Sequence, residues 1–361
     1  MSVVRKNLLS DYLSPLFLAM GVVVPLFYQV VVLSVQQPDN IKTFYSFSSG
    51  LSGYYDLKTA WKTRLFSNLL AWVDGRLGLY IMGRTFVRYV VDPRAFSIAL
   101  WTSLWFVLIA VVCIFFLKRR AVLYILGTYA AITFGYMPKV STTRIYPWDM
   151  PALFIFTLFL FLFLNDKFQW MLVLLPLAMG FKETAGVLCV AFLFADGLSG
   201  KDKWKMFLAS LVLCILVKLG IDMFTKSSSL FFTMETGLGA TSSDIYLIQN
   251  LGSFDSLQPF LINAGTLLSF IILSTPDKKI ISLKVMAVLF ALGNFLFGAV
   301  IEYRIWFELI PFALYTIENV SYLGSLSIDA KNRKLDENAI AENPDIHRHS
   351  QLIDMPTNEI H

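Results

Sequence analysis

Long apolar runs, each closed by a few charged or turn-forming residues, cover most of this chain. They fall at 13–35, 95–117, 121–137, 149–164, 168–181, 183–197, 206–224, 259–274, 280–301 and 304–323. A helix needs about 20 apolar residues to cross a bilayer's hydrocarbon core, and fewer in a packed bundle. The pattern predicts an all-α polytopic integral membrane protein with about ten transmembrane helices. The first run is longer than a signal-peptide core and has no small-residue cleavage site after it, so it is expected to stay as the first span. The runs 168–181 and 183–197 are too long for one span and too short for two ordinary ones. They are expected to form a helical hairpin that dips in and returns.

Charge placement orients this pattern. Arg5 and Lys6 put the amino terminus in the cytoplasm. Counting from there, the cytoplasmic connections are Lys118-Arg119-Arg120, Asn165-Asp166-Lys167, Lys201 to Lys205, Pro276 to Lys279, and the tail after Leu323. Each carries Lys or Arg. A single span over 168–197 would move the last basic connections to the other face, so the hairpin is the consistent choice. The outer segments are then 36–94, 138–148, the turn at Lys182, 225–258 and the turn at Glu302. Within the first, Leu57, Trp61, Leu65, Asn68, Leu69 and Trp72 recur at helical spacing. A helix lying in the membrane interface is expected there, with Gly75, Gly78 and Gly83 interrupting the chain beyond it. The segment 324–361 is polar and predicted to be a disordered cytoplasmic tail. No internal repeat is visible.

Composition agrees with lipid as the solvent. Of 361 residues 57% are hydrophobic and 15% charged, against about 25% charged in soluble domains. The net charge of +5 sits in short loops rather than in a dense stripe, which argues against nucleic acid as a partner. Cys113, Cys189 and Cys214 each stand alone in an apolar run and read as small packing residues.

The three histidines, His347, His349 and His361, all lie in the polar tail. That excludes an HExxH zinc protease, a Ser-His hydrolase, di-iron and haem sites, and the histidine-dependent O-antigen ligases from the membrane region. Acid–base chemistry would have to rest on carboxylates, Lys or Tyr.

The charges that remain gather on the outer side. Arg144 and the string Tyr146-Pro147-Trp148-Asp149-Met150-Pro151 open the fourth span, with Asp149 at a helix amino terminus. Lys182-Glu183-Thr184 joins the two short helices. Glu302-Tyr303-Arg304 joins the last two, followed by Trp306, Glu308 and Pro311. The first outer loop adds Asp56, Lys58, Lys62, Arg64, Asp74 and Arg76. Charges at such positions are costly. Ion pairs at helix ends would explain them, for instance Lys182 with Glu302 and Glu183 with Arg304. So would a site. Lys218 and Asp222, four apart in the seventh span, are expected to pair with each other, and Glu318 to reach the cytoplasmic surface.

This layout, with the strings Tyr146-Pro147-Trp148-Asp149-Met150-Pro151, Phe181-Lys182-Glu183-Thr184 and Glu302-Tyr303-Arg304 to Glu308-Leu309-Ile310-Pro311, resembles the GT-C superfamily of polyprenyl-phosphate-dependent membrane glycosyltransferases. The resemblance covers 1–323 in layout and about twenty residues in motif. It implies transfer of a sugar from a lipid-phosphate donor on the non-cytoplasmic face of the cell (inner) membrane, in cell-envelope polysaccharide synthesis. It implies an acidic residue of the first outer loop as base or metal ligand, for which Asp56 in Gly53-Tyr54-Tyr55-Asp56 is the match. Asp149 is the second candidate base. Arg64, Arg144, Lys182 and Arg304 are the candidate phosphate ligands, Glu183 and Glu302 further substrate-binding residues, and Trp61 or Trp148 a platform for a sugar ring. A divalent cation is compatible with the family but not specified by these residues. Two other classes stay open: a lipid or glycan flippase, and a non-catalytic membrane subunit that uses the charges for docking.

Overall fold

A computed structural model describes residues 2–37, 41, 64–83, 92–136, 145–225, 268, 271, 278–297 and 303–318. All of the regular structure among them is helical. The helices are α1 Ser2–Gln36, α2 Leu65–Gly83, α3 Pro93–Leu117, α4 Ala121–Gly135, α5 Asp149–Leu164, α6 Phe168–Phe181, α7 Gly200–Thr225 and α8 Lys278–Phe297. 3-10 helices occupy Lys118–Arg120, Glu183–Phe194 and Tyr303–Leu309, the last running into a helix over 310–318. Met1–Tyr315 form one compact unit and Thr316–His361 another.

By length and composition, Tyr12–Gln36, Pro93–Gly135 and Gly200–Phe224 are helical stretches able to cross a membrane. The middle one, at 43 residues, is not one rod. At about 1.5 Å per residue it would extend about 65 Å, twice a hydrocarbon core. Lys118-Arg119-Arg120, with Lys118 at φ 53°, breaks it into α3 and α4. Phe17, Phe115 and Met223 are 69%, 72% and 81% exposed. Large apolar side chains bare to this degree on long apolar helices match the surface that a membrane protein turns to lipid.

Facing pairs set the helix directions. Phe27 of α1 meets Phe96 at the start of α3, and Gln29 donates to the carbonyl of Thr133 near the end of α4 at 3.0 Å. Trp101 and Trp105 of α3 meet Pro147 and Phe154 at the start of α5, while Phe116 stacks on Phe161 near its end. So α3 and α5 run together and α1 and α4 run opposite. α6 returns along α5 to bring Phe181 against Trp105. The connections 118–120 and 165–167 therefore share one end of the unit. The turn 145–148 and Lys182 share the other.

Local chemistry explains the boundaries. Pro93 opens α3 behind Asp92, whose Oδ1 accepts the Arg94 N–H at 2.7 Å. α5 closes with a left-handed residue, Asp166 at φ 56°. The Lys167 N–H reaches the Leu162 carbonyl and the Asp166 N–H that of Phe163, the paired bonds of a Schellman end. Ser199 and Asp202 cap one another at the start of α7. That cap draws Lys201 to Lys205, expected as a loop, into the first turns of the helix.

α5 is the hub: its own Phe156, Phe159, Leu160 and Phe161, which point to different sides of the helix, are all buried. α6 and the 3-10 helix Glu183–Phe194 form the expected hairpin, but its second arm is not α-helical. Twelve residues reach about 24 Å at the 3-10 rise and only about 18 Å as an α-helix. α6, with fourteen residues, spans about 21 Å, so the two arms differ by only about 3 Å.

Two boundaries differ from expectation. Of the helix expected over 57–72, residues 57–63 lie outside the described residues and 65–72 belong to α2, Leu65–Gly83, which Gly75 and Gly78 continue rather than interrupt. Gly75 is buried beside Asp74, whose Oδ2 accepts the Ser97 hydroxyl of α3 at 2.9 Å. The run 304–323 begins as a 3-10 helix. The runs 259–274 and 319–323 and the tail lie outside the described residues, apart from 268 and 271.

Candidate functional site

The turn before α5 is buried throughout. The Trp101 indole N–H donates to the Pro147 carbonyl at 3.2 Å and holds the turn against α3. Tyr146 stacks on Trp148 at 4.8 Å. Asp149, first residue of α5, accepts the Tyr146 backbone N–H on Oδ2 at 3.1 Å. Its carboxylate thus sits at the positive end of the helix dipole with a donor already attached.

Arg64, directly before α2, covers this turn. Its guanidinium carbon lies 4.1 Å from the centre of the Trp148 ring. The Nε and Nη2 groups donate to the two Glu183 carboxylate oxygens at 3.2 and 3.0 Å. This is the two-pronged geometry that suits guanidinium to carboxylate and phosphate alike. Both side chains keep 16% of their surface exposed. Ser67, one turn along α2, donates to the Phe181 carbonyl at 3.2 Å, and Phe66 packs edge-on against Phe181. Gly180 makes that approach feasible, since a Cβ there would lie 2.2 Å from the Phe66 ring.

Lys182, between α6 and the 3-10 helix, is extended at φ −159° and ψ 131°. Extended backbone sends successive side chains to opposite sides. Glu183 accordingly turns to Arg64, while Lys182 turns inward and donates to Glu308 Oε1. The Thr184 hydroxyl is 3.5 Å from the same oxygen. Glu308 is 1% exposed, and its Oε2 has no hydrogen-bond partner among the described residues. Glu308 also feels the charge of Asp149, and Glu183 that of Lys218. Lys218 donates to Asp222 at 2.9 Å, the pairing expected from their spacing.

Arg64, Trp148, Asp149, Lys182 and Glu183 therefore meet at one end of the unit, joined by Glu308. Among the described side chains Glu183 pairs with Arg64 and Lys182 with Glu308; the pairings expected with Arg304 and Glu302 fall on side chains outside the described residues. Trp148 is buried with Arg64 on its ring, so it seats the guanidinium and presents no open face to a sugar. Asp56, Arg144 and Glu302 lie outside the described residues. So does the side chain of Arg304, whose backbone belongs to the helix Tyr303–Leu309. Glu308 was not among the expected site residues, although a glutamate inside the apolar run 305–314 is itself the signal. Among the described residues no three His, Cys, Asp or Glu side chains converge as metal ligands.

The arrangement places an anion-matching guanidinium, engaged here by Glu183, on the ring of Trp148 next to the Asp149 carboxylate in the chain. Compared with protein-family models, curated proteins and solved structures, the chain matches none.

Proposed function

We propose that this chain is a membrane glycosyltransferase that moves a sugar from a polyprenyl-phosphate donor to an acceptor hydroxyl. The observation that carries the proposal is Arg64: a guanidinium seated on the ring of Trp148, the residue directly before Asp149, with its two-pronged face engaged by a carboxylate in the way it would engage a phosphate. The proposal places this end on the non-cytoplasmic face of the cell membrane, with about ten spans in all and both termini in the cytoplasm. Arg64 holds the donor phosphate, and Arg144 and Arg304 supply further positive charge. The acceptor oxygen attacks the anomeric carbon while its proton passes to Asp149 or Asp56. The carbon–oxygen bond to phosphate breaks, and the polyprenyl phosphate leaves with the bonding electrons, stabilised by the cations.

The test uses the purified full chain in lipid nanodiscs with a fluorescent polyprenyl-phosphate sugar. Arg64→Gln should weaken donor binding, since a charge-assisted contact is worth about 1.5 to 3 kcal/mol. Asp149→Asn or Asp56→Asn should keep binding and abolish turnover. Full activity in both Asn variants would end the proposal.

One observation favours a flippase instead. The described cations Arg64, Lys182 and Lys218 each face a carboxylate across or along helices, a set of pairs that a carrier could exchange during transport. Translocation needs no proton acceptor, so a flippase would keep its rate in the Asn variants.

A further inference from the structure

Arg64 presents a phosphate-shaped fork, and the structure fills that fork with a carboxylate of its own. Glu183 takes both prongs, at 3.2 and 3.0 Å. A donor phosphate cannot take the same two N–H groups until Glu183 lets go. Released alone, Glu183 would be a nearly buried carboxylate without a partner, which strongly disfavours release. A receiver is at hand. α7 packs on the Glu183–Phe194 helix, with the Cys214 and Cys189 sulfurs 3.7 Å apart, and Lys218 lies one turn beyond Cys214 toward the end where Glu183 stands; its ammonium has three donors, one of them bonded to Asp222.

We propose that Glu183 is a built-in stand-in for the donor phosphate, and that binding of a phosphate headgroup exchanges it from Arg64 to Lys218. The proposal rests on the reading that Arg64 holds the phosphate. It adds that the empty site is self-occupied, so that Arg64 is kept seated on Trp148 and closed to stray anions until a membrane-borne phosphate displaces the carboxylate. Glu183 is the first residue of the 3-10 helix Glu183–Phe194, so the exchange acts at the start of an unusually long stretch of the tighter helix. Headgroup binding is thereby linked to the packing of that helix on α7. Lys182 stays with Glu308 throughout, because its side chain leaves the extended backbone on the opposite side.

The test is binding of fluorescent polyprenyl phosphate, competed by unlabelled polyprenyl phosphate or by inorganic phosphate, to the full chain in nanodiscs. If Glu183 occupies Arg64 for more than nine-tenths of the time, removing it raises apparent affinity at least about tenfold. Glu183→Gln should therefore bind both lipid phosphate and inorganic phosphate more tightly. Glu183→Asp, too short to fill both prongs, should tighten both as well and stands in should the Gln variant misfold. Neutralising the receiver, with Lys218→Gln and Asp222→Asn together, should weaken binding in the wild-type background and change nothing in the Glu183→Gln background. Unchanged or weaker binding in both Glu183 variants, with Arg64→Gln still weakening binding, would overturn the stand-in and leave the phosphate reading intact. Binding left unchanged by Arg64→Gln would overturn both. Inorganic phosphate should compete far less well than the lipid, and equal potency would overturn the membrane as the source of the ligand.

Discussion

Lys182 and Glu308, separated by 126 positions in the sequence, form an ion pair sealed inside the unit. It joins the turn of the α6 hairpin to the 3-10 helix Tyr303–Leu309. It also cancels two charges that neither lipid nor protein would accept singly. Removing one partner leaves the other charged and buried. Lys182→Met or Glu308→Gln should therefore lower stability by about 3 to 5 kcal/mol, and the double variant Lys182→Met with Glu308→Leu should recover most of it. Denaturant titration in mixed micelles would measure this cycle. Additive losses in the double variant would mean that the two residues act separately.

The gathering of Asp149, Lys182 and Glu183 was legible in sequence because a charge at the end of an apolar run has few places to go. Alternating helix directions put every second connection at the same end. The pairings were not legible. They depend on the extended backbone at Lys182, which splits two adjacent charges between different partners. They depend also on Arg64, which stands directly before α2 and reaches Glu183, 119 positions along the chain. The 3-10 winding of Glu183–Phe194 carries no signature in an apolar string. Cys189 and Cys214, read as isolated packing residues, face each other with 3.7 Å between sulfurs, a proximity that only the packing of α7 on that helix reveals.

Asp74 makes stability depend on pH. α2 is the helix expected at the membrane surface, and burial there pushes the Asp74 carboxyl up to about 7, with the Ser97 hydroxyl bond holding it back in part. Its unfolded value is about 4. Between those limits the folded chain keeps a proton that the unfolded chain has lost, so stability should fall as pH rises from about 4 to about 7 and level off above. Asp74→Asn should flatten that part of the profile. Thermal unfolding in detergent across pH 4 to 8 would show it, and an equal slope in both proteins would assign the effect to another group.

Topology is checked independently of any activity. A reporter active only outside the cytoplasm should be silent when fused after residue 203 and active after residue 240. Lys201 to Lys205 begin α7, and that helix is long and apolar enough to carry the chain across. The same behaviour at both positions would mean that α7 does not cross. Lys182 and Glu183 would then lose their assignment to the outer face.

The contact between Gly180 and Phe66 ties the placement of Arg64 to the end of α6. A methyl group on Gly180 would lie 2.2 Å from one ring carbon and 2.4 Å from the next, too close for either to remain. Phe66 is held against Phe181, and Ser67 is bonded to the Phe181 carbonyl, so the ring cannot swing away alone. The start of α2 must move with it, and Arg64 is two residues upstream. Gly180→Ala should thus do two things. It should lower stability by about 1 to 3 kcal/mol, as overpacking does. It should also weaken lipid-phosphate binding several-fold in the fraction that remains folded, because the Arg64 fork is displaced from Trp148. Shortening the ring, as Phe66→Leu in the Gly180→Ala background, should restore both. Binding measured on folded protein separates the effects: a stability loss with unchanged affinity would show that Trp148 and Glu183 hold Arg64 without help from α2.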